Sequence, residues 1–156
     1  MKEGADFYRV EVISYCLMGN HFHFLLCTQK ANLSRYMQRL NVAYTRYFNV
    51  RYKRVGPLLQ GRYKAILVGS DEYLQVLSRY IHLNPVKIRS GVKKSKEEQQ
   101  LLLKKYCWSS YPAVLDEKKR SKYFKCERAL GNFGGDTPGS RACMKGLRKR
   151  LRKTSL

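Results

Sequence analysis

An α+β fold is what this sequence predicts, and three observations predict it. They are a strand–turn–strand signature over residues 8–27, a long amphipathic helical stripe over residues 32–52, and a second, capped helical segment that starts at Ser70. The 156 residues suffice for one domain of ordinary size, and 44% apolar content suffices for a core. Lys plus Arg number 32 against 11 Asp plus Glu, a formal charge of +21 that attracts polyanions. The excess runs along the whole chain, 14 basic against 5 acidic side chains over residues 1–90 and 18 against 6 over residues 91–156. A nucleic-acid phosphate backbone is the leading partner class. No apolar run approaches the roughly 20 residues of a membrane-spanning helix, and no signal-peptide order opens the chain, so a cytoplasmic location and no membrane partner are expected. The 5 cysteines are odd in number, widely spaced and never C-x-x-C, which fits reduced thiols rather than a disulfide frame.

The elements follow in order. YRVEVISYC, residues 8–16, is rich in β-branched and aromatic residues; Gly19-Asn20 supplies a turn, and HFHFLLC from His21 to Cys27 is the return strand. Alternation puts His21, His23, Leu25 and Cys27 on one face and Phe22, Phe24 and Leu26 on the other, with the phenylalanines toward the core. Asn32 or Ser34 caps a helix to about Tyr52, on which Leu33, Tyr36, Met37, Leu40, Ala43, Tyr44, Tyr47 and Phe48 form one broad apolar stripe. Opposite it Arg35, Arg39 and Arg46 lie within about 40° of one another, a ridge that reads either as a solvated face or as phosphate contacts.

Gly56-Pro57 breaks the chain, and RYKAILV between Gly61 and Gly69 reads as a strand that displays Arg62 and Lys64. Ser70 caps the next helix, Asp71 and Glu72 suit its dipole, and Pro85 is expected to end it near Leu83 or Asn84. VKKSKEEQQLLLKK is a charged connector followed by a short helix. The stretch from GNFGGDTPGS through RKRLRK reads as loop and then a cationic polyanion-binding arm. Trp108, a lone large aromatic, reads as a packing anchor.

All 3 histidines fall in two short segments, His21-Phe22-His23 and Tyr80-Ile81-His82-Leu83-Asn84. Histidines two apart on a strand project side by side and can hold one divalent cation; the alternative is a surface or hydrogen-bonded pair. Tyr80 and Asn84, at i and i+4, share a helix face, so Asn84 can add an oxygen ligand while Tyr80 offers a hydroxyl. The competing reading makes Tyr73, Leu77 and Tyr80 a core stripe. A structural zinc site from His21, His23 and Cys27 is a third option. Acidic two-metal nucleases are disfavoured, because the carboxylates of residues 1–90 are Glu3, Asp6, Glu11, Asp71 and Glu72 and form no set around the histidines.

The strings YCLMGNHFHFLL, LLQGRYKAIL, SRYIHLNPV and YCWSSY, in that order, resemble the HUH single-tyrosine transposases, closest to the REP-associated tyrosine transposase branch; ALGNFGGDTPGSRA is more weakly similar. The resemblance implies a ferredoxin-like central antiparallel sheet with helices packed on it. It implies His21, His23 and Asn84 as ligands of Mg²⁺ or Mn²⁺ and Tyr80 as a nucleophile that forms a 5′-phosphotyrosine. The implied substrate is single-stranded DNA with hairpin ends, with Arg35, Arg39, Arg46, Arg62 and Lys64 as candidate contacts. A catalytic domain over residues 1–90 and a basic region over residues 91–156 follow. Against that pattern the first strand and helix are missing, which leaves a sheet edge prone to association. A truncated copy, a misplaced start and a homodimer that borrows a strand stay open. A non-catalytic nucleic-acid-binding remnant is the alternative function.

Overall fold

Two strands of opposite direction anchor the chain. The computed structural model describes residues 8–88, 95–120 and Phe124, and among them the architecture is α+β. Strand β1 (Val10–Leu17) and strand β2 (Phe22–Thr28) pair as an antiparallel hairpin. The Met18 amide donates to the His21 carbonyl at 2.8 Å and closes the turn at Gly19-Asn20. Four helices follow: α1 (Leu33–Arg51), α2 (Asp71–Ile88), α3 (Lys96–Lys105) and α4 (Tyr111–Leu115), then a short 3-10 turn at Glu117–Lys119. Proximity along the backbone groups the chain into two units, Met1–Glu11 with Cys27–Leu67 and Val12–Leu26 with Val68–Leu156.

The first unit is organised by α1. Asn32 stands at its N-cap but makes no capping bond; its side-chain amide donates to the Tyr8 carbonyl instead. The expected stripe is narrower than eight residues. Met37 is buried and Leu33, Tyr36, Leu40 and Phe48 are half-buried, whereas Ala43, Tyr44 and Tyr47 are exposed. RYKAILV is not a strand. Residues 62–68 have no regular hydrogen-bonded neighbour among the described residues, Leu67 is 93% exposed, and Tyr63 is tied to Ser34 by a 2.9 Å hydroxyl bond. A high β-propensity is realised only when a neighbouring strand is available to pair with.

The second unit holds a core in which Leu83 of α2, Leu103 of α3 and Tyr111 of α4 pack with Val86, Leu102 and Leu115. Helix α3 starts at a reciprocal cap, Ser95 with Glu98, as its sequence S-x-x-E suggests. Helix α2 does not stop at Leu83 or Asn84 but runs through Pro85 to Ile88. Pro85 has no N–H for the Ile81 carbonyl. The Asn84 side-chain amide takes its place, donating to the Tyr80 oxygen at 3.0 Å and the Ile81 oxygen at 3.4 Å.

Residues 106–111 fasten α2 to β1. Ser110 Oγ accepts from the Tyr15 amide at 2.9 Å, donates to the Tyr15 carbonyl at 3.2 Å and lies 2.7 Å from His82 Nε2. The Leu17 amide donates to the Trp108 carbonyl at 2.8 Å, and Tyr106 Oη donates to the Leu17 carbonyl at 2.7 Å. Trp108 is 61% exposed, so it is not the packing anchor; Ser109, Ser110 and Tyr111 are, because small hydroxyls can satisfy strand backbone that an indole cannot reach. Cys16, Cys27 and Cys107 form no disulfide among the described residues. The tail from GNFGGDTPGS onward lies outside the described residues, and no helix among them is long and apolar enough to cross a membrane.

Burial pushes His82 down to about 4, so it is neutral at pH 7. The unfolded imidazole, with a pKa near 6.5, binds a proton that the folded one does not, so its contribution is complete above about pH 6.5 and is lost as pH falls toward 4. The loss is on the order of 3 kcal/mol. Urea unfolding midpoints should therefore fall between pH 6.5 and 4.5, and His82→Asn should flatten that fall.

Candidate active site

On β2 the two-residue period sets His21 and His23 side by side, ring centroids 5.0 Å apart and planes at 87°. His21 is exposed, and its Nδ1 is 2.6 Å from the Asn20 side-chain oxygen. An amide oxygen only accepts, so Nδ1 is the donor of this bond. His23 is half-buried, and its pKa is lowered by desolvation first, then by His21 and by Lys87. That lowering favours the neutral imidazole of His23, the form that ligates metal. Leu25 on the same face is the buried member of β2, while Phe22 and Phe24 are only half-buried. The histidine face is thus not simply the solvent face, because α2 lies over it.

Helix α2 brings Tyr80 to His23, ring centroids 5.8 Å apart and planes at 81°. Tyr80 is 40% exposed and Tyr73 45%, which removes both from the core stripe; Leu77 alone is half-buried there. Asn84 is buried, one turn beyond Tyr80. Its nitrogen must face the Tyr80 and Ile81 carbonyls, which only accept, so the side-chain oxygen is the atom turned elsewhere. His82, on the opposite side of the helix, belongs to the Ser110 anchor. Lys87 is the residue that motif reading overlooked: its Nζ sits 4.0 Å over the Tyr80 ring. The signal was its i+7 spacing from Tyr80, about 20° off the same helical line.

Two imidazole nitrogens and one amide oxygen suit a divalent cation that accepts mixed N and O donors. Among the described residues no three His, Cys, Asp or Glu side chains converge, so Cys27 does not complete a zinc set with the histidines. The five predicted DNA-contacting cations, Arg35, Arg39, Arg46, Arg62 and Lys64, are all exposed. Arg39 and Arg46 flank a shallow groove on α1 of about 660 Å³, lined by Val42, Ala43, Tyr47, Val50 and Arg51.

Residues 1–84 match the family model described as IS200-like transposase. No curated protein and no solved structure matches the chain.

The Asn84–Pro85 pair generates a stability test. Asn84→Ala strands the Ile81 carbonyl and should cost about 1–3 kcal/mol in urea unfolding. Adding Pro85→Ala supplies a backbone donor to that carbonyl, so the two losses should be less than additive by about 1 kcal/mol. Strict additivity would mean that the side chain does not stand in for the missing donor.

Proposed function

The chain belongs to the IS200-like transposases, DNA-cleaving enzymes as a family, and from that premise we propose that it cleaves and rejoins single-stranded, hairpin-ended DNA through Tyr80. The phenolic oxygen attacks the scissile phosphorus in line; the Oη–P bond forms, the P–O3′ bond breaks, the phenolic proton leaves and the 3′ oxygen departs as a hydroxyl. The product is a 5′-phosphotyrosine. One phosphodiester replaces another, so a DNA 3′-hydroxyl can reverse the step without an energy source. A free phenol, with a pKa near 10, is a weak nucleophile at neutral pH, so the site must position it and stabilise the charge of the phosphate. Mg²⁺ or Mn²⁺ held by His21, His23 and Asn84 would supply that stabilisation as a Lewis acid.

The single observation that carries the reading is the Tyr80 ring, 40% exposed and 5.8 Å from His23, on a helix where a core residue would be buried. His21 and His23 stand side by side, and Asn84 turns its side-chain oxygen away from the helix backbone. Binding along the strand falls to the exposed cations, with Tyr47 among the exposed rings on which unpaired bases stack.

Incubation of the protein with a hairpin-bearing single strand and Mg²⁺ or Mn²⁺ should give a protease-sensitive covalent adduct. EDTA should stop its formation, Mn²⁺ should restore it, and Tyr80→Phe should form none. An adduct that persists in Tyr80→Phe overturns the assignment, and salt-sensitive binding with no nicking favours a non-catalytic DNA-binding remnant instead. For the contacts, Arg39→Gln with Arg46→Gln should make the slope of log affinity against log salt shallower by about 1.4, at about 0.7 per single-strand phosphate contact. An unchanged slope assigns that ridge to solvent.

A further inference from the structure

We infer that Lys87 is a phosphate-holding residue of the strand-transfer site, its ammonium leaving the Tyr80 ring for a non-bridging oxygen of the phosphate that Tyr80 attacks. The inference rests on the strand-transfer reading of Tyr80. Its first support is position: Lys87 Nζ lies 4.0 Å from the centre of the nucleophile's ring, and the same ring meets His23 at 5.8 Å. Imidazole, phenol and ammonium therefore converge on one point of the surface.

The second support is the chemistry of the contact. An exposed ammonium on a phenol face is held weakly, whereas an ammonium that donates to a phosphate oxygen makes a charge-assisted hydrogen bond, roughly twice as strong as a neutral one. Arrival of DNA thus favours transfer of the cation from ring to phosphate. A four-carbon stem with three rotatable N–H donors makes that short move without any backbone change. Lys87 also sits in the last turn of α2, where a cation suits the helix dipole, but that role is indifferent to where the ammonium points.

Single-turnover adduct formation at saturating hairpin DNA, with Mn²⁺, separates these roles. Lys87→Met should slow the step on the order of 10²-fold, the size of losing one charge-stabilising donor, while the DNA dissociation constant, measured in the Tyr80→Phe background, changes less than about threefold. Lys87→Arg should recover most of the rate. A wild-type rate in Lys87→Met, or a loss that Lys87→Arg does not recover although both variants keep the wild-type unfolding midpoint, overturns this inference alone. Absence of any adduct from the wild-type protein overturns the strand-transfer reading and this inference with it.

Discussion

One serine hydroxyl fixes how α2 lies against β1. Ser110 Oγ meets the backbone of Tyr15 on β1 and the ring of His82 on α2 at 2.7–3.2 Å. A buried hydroxyl with three such partners fixes both the distance and the rotation of the helix, since a helix turned by one residue would carry His82 100° away from it. With His82 committed to that side, the residue two before it, Tyr80, is committed to the other. The proximity of Tyr80 to His23 is therefore a consequence of where residues 106–111 cross β1 and not of any bond that Tyr80 makes itself.

The same helix departs from ordinary rules in its last two turns. A proline inside a helix costs about 3 kcal/mol because a carbonyl is left without a donor. Asn84 offsets that cost with its own side chain, and in doing so it fixes which of its two polar atoms is turned away from the helix. A metal-binding amide needs its oxygen outward, and a proline one residue later requires its nitrogen inward. The two demands agree, which gives the Asn-Pro sequence a physical reason beyond helix termination.

Much of this was legible in the chain. Val, Ile and Tyr around Gly19-Asn20 gave the hairpin, alternation gave the histidine pair, and Ser95 with Glu98 gave the start of α3. The i, i+4 spacing placed Tyr80 and Asn84 on one helix face. What could not be read shares one cause, dependence on distant partners. RYKAILV has strand composition, but pairing needs a neighbour that composition does not supply. Pro85 looked like a terminus because the donor that rescues the helix is a side chain one residue away. Trp108 looked like an anchor because its size suggests burial, yet the YCWSSY segment attaches through Ser110 and through main chain. Lys87 lies outside the motifs; its i+7 spacing from Tyr80 gains meaning only from the ammonium set 4.0 Å over the Tyr80 ring.

Several departures from simple helix rules lie on α2. Where stability alone is at stake, an amphipathic stripe is best filled by leucine or methionine, and a helix interior excludes proline. Helix α2 instead carries tyrosines left 40% and 45% exposed, a buried asparagine, a proline and a cation drawn over an aromatic ring. Each is a local loss relative to the simplest helix that could cover this strand. Tyr80, Asn84 and Lys87 share one face of the helix, and Tyr80 meets His23, whose ring is 5.0 Å from that of His21. On the other side of the helix Leu83 packs with Leu103 and Tyr111, and the buried His82 is held by Ser110. One helix thus separates two environments by rotation: Leu83 is set in the core, and Tyr80 is left exposed beside the histidine pair.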